Sequence, residues 1–140
     1  MVEGVYRNQH VLLAVVSIMT NYWRLERDIE IVQGKTWTAK FRYLTKSCKG
    51  KSNVPVNLTG YGANMVIREC AKDSATLLTL TSGSGITLGG AAGTIEIEIT
   101  ATQAANLTAG DNVYEIELYQ GYTYIAFATG KAKVYEEIAR

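Results

Sequence analysis

The sequence predicts an all-β fold with one short helix and an extended N-terminal arm. Apolar residues alternate with polar ones along several short segments, which is the period of a strand with one buried face. Glycine-containing turns separate these segments, and none of the intervening stretches holds the helix of roughly ten residues that a parallel βαβ unit needs. With 140 residues, 47% of them hydrophobic, the chain suits one domain with its own core. The specific expectation is an antiparallel, immunoglobulin-like β-sandwich.

Three segments show the strand period most clearly. Ile29–Ile31, Trp37–Tyr43 and Tyr61–Ile67 each place an apolar side chain at every second position. Leu77–Leu80 and Ile86–Leu88 are shorter, and the glycines between and after them predict turns. Each of the five segments is therefore expected to be a strand with one face on the core.

The second half of the chain predicts another strand and the only helix. Thr94–Ile99 alternates like the earlier strands. Thr100–Gln103 has the Thr-x-x-Gln form of a capping box, followed by alanines that favour a helix. We expect this helix to end near Gly110.

A hairpin completes the predicted sheet. Tyr114–Leu118 is its first strand, Gln120–Gly121 its two-residue turn and Tyr122–Thr129 its returning strand. Gly130 is expected to separate this strand from a last one, Lys131–Tyr135. The predicted core comprises Trp37, Phe41, Met65, Ile67, Ile95, Ile97, Ile116 and Leu118, and the tyrosines expected to pack with the hydroxyl at the edge are Tyr43, Tyr61, Tyr114 and Tyr124.

Residues 1–27 differ in composition from the rest, so we expect an arm outside the β-sandwich domain of residues 28–140. The apolar run Val11–Met19 is far shorter than the ~20 residues of a transmembrane helix, and its β-branched residues favour a strand. A signal peptide is disfavoured because no small-x-small cleavage site follows the run. A strand that is apolar on both faces must be covered on both, which predicts packing against another chain. The predicted interface residues are Val11, Leu12, Leu13, Val15, Val16, Ile18, Tyr22, Trp23 and Arg24, although Trp23 could instead cap the core of its own subunit.

Three segments together resemble a known group of proteins. Val56–Tyr61 (VNLTGY), Gly85–Thr94 (GITLGGAAGT) and Asn112–Leu118 with its hairpin are similar to small phage virion β-sandwich proteins of tail and baseplate gene clusters, such as the N-terminal domain of baseplate upper proteins. The resemblance covers residues 28–140, and the lysine-rich segment Lys46–Ser52 departs from it. It implies a structural virion protein, made in the bacterial host cytoplasm, whose partners are other virion proteins and copies of itself.

Three function classes remain open on the sequence. The resemblance implies a tail or baseplate attachment or adaptor module that acts through protein–protein contacts. A capsid decoration or neck protein is the second class. A carbohydrate-binding module is the third, with Tyr119 and Tyr122 beside the hairpin as candidate aromatic platforms.

The sequence predicts neither an enzyme nor a cofactor or metal site. His10 is the only histidine, so neither a Ser/His/Asp arrangement nor a histidine metal site can be assembled. The glycines of Gly83–Gly93 lack the Gly-Lys-Ser/Thr of a phosphate loop and therefore predict turns. Cys48 and Cys70 lack the spacing of a zinc site and are expected to stay reduced.

The charged residues give no sign of nucleic acid, membrane or small-molecule binding. The formal net charge is +1, which provides no general attraction for anionic partners. Lys46–Lys51 is a small basic loop, for which a solvated tip is the expected state. Glu96, Glu98, Glu115 and Glu117 would share an outer face if their strands were neighbours. A calcium site or a glycosidase-like carboxylate pair is then one interpretation, and a solvated strand face is the other.

Overall fold

The computed structural model describes residues 2–3, 13–14, 25–45, 54–70 and 74–138. The described residues are mostly β-strand with one short α-helix, so the predicted all-β class is confirmed. The elements are β1 (Val2–Glu3), β2 (Leu13–Ala14), β3 (Leu25–Glu26), β4 (Ile29–Val32), β5 (Trp37–Arg42), β6 (Leu44–Thr45), β7 (Val54–Pro55), β8 (Gly62–Arg68), β9 (Thr76–Ser82), β10 (Gly85–Leu88), a 3-10 turn (Gly90–Ala92), β11 (Thr94–Ile99), α1 (Ala101–Ala105), β12 (Gly110–Gln120) and β13 (Thr123–Tyr135).

Within the described residues, nine strands form one hydrogen-bonded sheet in the order β3-β13-β12-β8-β9-β10-β11-β5, with β4 also paired to β13. The pairs that include β8, β11 or β12 are antiparallel, as expected. β3 and β4 run parallel to β13, and β10 runs parallel to the end of β9, which the sequence did not predict. The immunoglobulin-like arrangement stays a prediction.

The sheet curls, so that strands from its two ends face each other across the core. Phe41 of β5 and Phe127 of β13 pack edge to face with ring centroids 5.8 Å apart. Tyr43 packs on the same Phe127 ring at 5.4 Å. The chain turns sharply between β9 and β10, where Ser84 N donates a hydrogen bond to the Thr81 carbonyl at 2.8 Å. Through this turn β10 follows β9 within the same sheet.

The core contains all eight side chains that the alternation predicted. Burial alternates strictly along β5, β8 and β11, as expected for strands with one face inward. The predicted residues, each with at most 3% of its surface exposed, are Trp37, Phe41, Met65, Ile67, Ile95, Ile97, Ile116 and Leu118.

A β-bulge changes the alternation in β13. The register between β12 and β13 shifts between Ile116 and Glu117, and Phe127 is the extra residue on β13. Phe127 and its neighbour Ala128 are both buried as a result. Between the bulge and the hairpin turn, odd-numbered instead of even-numbered residues of β13 face the core. Tyr124 therefore lies on the outer face, with 61% of its surface exposed. The prediction that Tyr124 packs in the core was wrong for this reason.

Gly130 does not interrupt a strand, contrary to the prediction. β13 runs through it without a break. A Cβ at this position would collide with the backbone carbonyl of Arg27 and would lie 3.1 Å from Asp28 Oδ1. Asp28 Oδ1 in turn accepts a hydrogen bond from Lys131 N at 3.0 Å. The glycine therefore permits the close approach of the chain between β3 and β4.

The Tyr114 side chain holds the same segment, between β3 and β4, from inside the core. Its hydroxyl donates to the Arg27 carbonyl at 2.6 Å, and Arg27 N donates to the Thr129 carbonyl at 2.9 Å. Burial raises the pKa of the Tyr114 phenol far above its usual value; Asp28 raises it further and Arg27 lowers it. The phenol therefore stays protonated and able to donate. Leu25, two residues before Arg27, is buried in the same core.

The capping box predicted at the helix is confirmed. Thr100 Oγ1 accepts from Gln103 N at 3.2 Å, and Gln103 Oε1 accepts from Thr100 N at 2.9 Å. The helix ends at Ala105, earlier than the expected end near Gly110.

Replacing Thr100 by alanine should lower the free energy of unfolding by about 1 kcal/mol, because a backbone N–H loses its partner. Urea denaturation of the purified chain measures it. Thr102→Ala, at an exposed position of the same helix, is the control and should change the free energy by less than about 0.5 kcal/mol. Equal losses for the two variants would contradict the role of the cap.

Before Leu25, the structure describes two short strands, β1 and β2. β1 pairs antiparallel with β2, and Cα atoms of β2 lie within 8 Å of Cα atoms of β5. Leu13 belongs to β2. The other predicted interface residues and the basic loop lie outside the described residues: Val11, Leu12, Val15, Val16, Ile18, Tyr22, Trp23, Arg24 and residues 46–52.

Candidate interaction surface

The four glutamates that could have shared a face lie in separate parts of the sheet. β11, with Glu96 and Glu98, pairs with β5 and β10, whereas β12, with Glu115 and Glu117, pairs with β8 and β13. The shared acidic face, on which the calcium and glycosidase-like interpretations depended, does not form. Among the residues that the structure describes, no three His, Cys, Asp or Glu side chains gather where they could hold a metal ion.

A pair of tyrosines lies on the outer face of the β12–β13 hairpin. Tyr119 and Tyr124 are directly opposite each other, and their ring centroids are 5.8 Å apart. The ring planes are inclined by 35°, far from the perpendicular arrangement of edge-to-face packing. The two rings therefore present faces of similar orientation, and we call this pair the tyrosine platform.

Gly62 lets one ring of the platform lie on the sheet. It is the direct partner of Tyr119 in β8. A Cβ at residue 62 would collide with the Tyr119 ring and would lie 2.6 Å from the Tyr119 hydroxyl oxygen. Without that atom the ring extends across the β8 backbone and covers the glycine, an arrangement that also stabilises glycine in sheets.

The turn beside the platform differs by one residue from the prediction. Gln120 still pairs with Thr123, so the turn residues are Gly121 and Tyr122. Gly121 has a φ of +59°, which suits glycine at the first position of a two-residue hairpin turn of type I′ or II′. Tyr122 at the second position is fully exposed. Of the two tyrosines predicted as platforms, Tyr119 thus has a different aromatic partner and Tyr122 projects from the turn.

Three hydrogen-bonding side chains lie beside the platform, and we call them the polar row. Asn64 of β8 is opposite both Glu117 of β12 and Thr81 of β9. Asn64 Nδ2 donates to Glu117 Oε1 at 3.5 Å. The row is two residues along the strands from the platform, or about 7 Å. Asn64 and Glu117 are half-buried, and Thr81 is exposed.

Two of the three segments that carry the family resemblance, Val56–Tyr61 and Gly85–Thr94, form one hydrogen-bonded unit. Leu58 N donates to the Gly90 carbonyl at 2.9 Å, and Tyr43 N donates to the Gly93 carbonyl at 2.8 Å. Gly93 has a φ of +68°, and a Cβ there would lie 2.8 Å and 2.9 Å from the carbonyls of Tyr43 and Val56. The glycines thus form tight turns, as predicted, and Gly93 also permits close backbone contact.

Two open depressions lie beyond the platform and the polar row. One, of about 490 Å³, is lined by charged residues of β5 and β11, including Lys40, Glu96 and Glu98. The other, of about 420 Å³, is lined by Arg68 and Glu115 among others. Cys70 also lines it and is exposed, whereas Cys48 lies outside the described residues.

Fold and surface together define an all-β domain with an aromatic platform on the outer face of its sheet. In the described part of the chain, no helix is long and apolar enough to cross a membrane. No family model matches the sequence, and no curated protein matches it either. Among solved structures, the chain is similar to the N-terminal domain of phage TP901-1 ORF48, with a TM-score of 0.48 and 12% sequence identity over 88% of this chain and 96% of that chain. At this distance the likeness leaves function open.

Proposed function

We propose that the chain is a non-enzymatic structural protein of a tailed bacteriophage virion, an attachment or adaptor module of the tail or baseplate. The supporting observation is the hydrogen-bonded unit of Val56–Tyr61 and Gly85–Thr94. These segments resemble virion β-sandwich proteins, and in this chain they pack as one piece of the domain. The immunoglobulin-like arrangement of the strands belongs to the same proposal.

The proposed partners are other virion proteins and copies of the same chain, met after synthesis in the host cytoplasm. Protein–protein contacts are expected to suffice for the role, without nucleic acid, membrane, cofactor or small-molecule substrate. The apolar run Val11–Met19 is the proposed joint. Burying five Val, Leu or Ile side chains in a partner could contribute about 7–15 kcal/mol before the cost of ordering the chain.

Electron cryo-microscopy of purified particles tests the proposal. Density for the chain that follows the rotational symmetry of the tail or baseplate supports the attachment role. Density that follows the capsid lattice, or that lies at the neck, favours the alternative of a decoration or neck protein. Absence of the chain from the particle contradicts both.

Deleting residues 1–24 should leave a folded domain that no longer enters particles. The deletion stops before Leu25, because that side chain is buried and Arg27 is hydrogen-bonded within the sheet. Circular dichroism measures folding, and mass spectrometry of purified particles measures incorporation. Full-length Tyr122→Ser, altered at a fully exposed side chain, is the control for incorporation. A truncated chain that unfolds would assign the first residues to the domain's own core instead.

A further inference from the structure

We propose that the tyrosine platform and the polar row bind a neutral oligosaccharide built of hexose or N-acetylhexosamine units. This binding is separate from the attachment role and does not depend on it. It would make the outer face of β8, β12 and β13 a recognition surface in addition to a structural one.

The platform has the chemistry that sugar rings recognise. One face of a pyranose carries C–H groups, which are slightly positive and pack on the negative face of an aromatic ring. Tyr124 exposes 61% of its surface on the outer face of the sheet. Tyr119, held over Gly62, extends this aromatic surface by a second ring inclined by only 35°. A pyranose can therefore lie along the pair without any change in the backbone.

The polar row supplies hydrogen bonds at the distance that a bound sugar ring requires. Sugar hydroxyls both donate and accept, so they need partners of both kinds. Asn64 offers a donor and an acceptor, Glu117 accepts, and the Thr81 hydroxyl does either. The contact of 3.5 Å between Asn64 Nδ2 and Glu117 Oε1 is long for a hydrogen bond, which leaves both groups with unused capacity.

The charges of this surface favour a neutral ligand. The platform and the polar row contain one carboxylate, Glu117, and neither lysine nor arginine. A phosphorylated or sulfated sugar placed on them would meet that carboxylate with no cation among these five residues. A protein partner would use the same aromatic residues within a polar rim, and it is the alternative that the experiment below separates from sugar binding.

The full-length chain can be tested with four soluble probes: cellohexaose, maltohexaose, mannohexaose and chitohexaose. Isothermal titration calorimetry should detect binding of at least one of them. Tyr124→Ala should weaken that binding by about tenfold or more, and Asn64→Ala by about tenfold, the effect of losing one favourable contact. Thr81→Ala, at an exposed position, tests the row even if Asn64→Ala fails to fold. Circular dichroism reports the folding of each variant.

Tyr135→Ala is the matched control, because Tyr135 is also an exposed tyrosine of β13 but lies at its far end. It should change the affinity by less than about twofold. Failure of all four probes to bind overturns the proposal, and so does an equal loss of affinity in Tyr135→Ala and Tyr124→Ala. Particles that fail to assemble with Tyr124→Ala, while the purified chain binds none of the probes, would assign the platform to a protein contact and overturn it as well.

Discussion

Replacing Gly130 by alanine should lower the free energy of unfolding by about 2–3 kcal/mol, measured by urea denaturation. The new Cβ would collide with the Arg27 carbonyl, which is backbone and cannot rotate away. The same carbonyl accepts the hydrogen bond of the buried Tyr114 hydroxyl, so a shift of the backbone breaks a second contact. The strands β3 and β4 should therefore separate from β13 at lower denaturant concentration.

Gly62→Ala is the control for this experiment. Its Cβ would also meet an occupied position, but the atoms there belong to the end of the Tyr119 side chain. That side chain lies on the outer face and can turn aside, so the expected loss is about 1 kcal/mol. A loss of unfolding free energy for Gly130→Ala no larger than that for Gly62→Ala would mean that the backbone at Arg27 can move away from residue 130.

Replacing Phe127 by alanine should cost about 3–5 kcal/mol, the usual range for a buried phenylalanine. Its ring is almost fully buried and contacts Phe41 and Tyr43 from the opposite end of the sheet. Tyr122→Ala, at a fully exposed position of the same hairpin, should change the free energy by less than about 0.5 kcal/mol. Both free energies come from equilibrium urea unfolding.

A double-mutant cycle of Phe41→Ala and Phe127→Ala tests the curl of the sheet directly. The two rings are on strands far apart in the sheet order, so only the closed arrangement brings them together. The coupling free energy should be about 0.5–1.5 kcal/mol. Strict additivity of the two losses would contradict the contact across the core.

The local features of the fold could be predicted from the sequence because they depend on neighbouring residues. Alternation in Trp37–Tyr43, Tyr61–Ile67 and Thr94–Ile99 identified the inward side chains, because successive side chains of a strand point to opposite faces of the sheet. The Thr100 cap was equally visible, since both partners of its hydrogen bonds lie within one turn.

Features that depend on distant residues were missed. Gly130 has the same appearance in a sequence whether it permits a turn or the approach of another strand, and the carbonyl of Arg27 that explains it is about a hundred residues earlier. The parallel pairing of β3 and β4 with β13 likewise has no local signature. The prediction had placed Tyr124 inside from the simple alternation of side chains along the strand. The bulge at Phe127 exchanges the two faces beyond it, so this alternation does not hold there.

The candidate site was predicted only in part. Tyr119 was identified as a platform residue from its place beside the hairpin. Its partner Tyr124 and the supporting Gly62 were not, because their relation depends on the register of three strands. Asn64 and Glu117 could have been found only after the order β8-β12-β13 was known.

The pairing of β4 with β13 has a consequence for how the chain folds during synthesis. Asp28 and Lys131 are joined by a hydrogen bond across 103 residues of sequence. At about 5–20 residues per second, a ribosome needs roughly 5–20 seconds to make that stretch. During this time the apolar side chains of Leu25, Ile29 and Ile31 have no sheet to join. β3 and β4 can pair only after β13 has been made, and the nascent chain spends those seconds with exposed strand edges that favour aggregation or capture by chaperones.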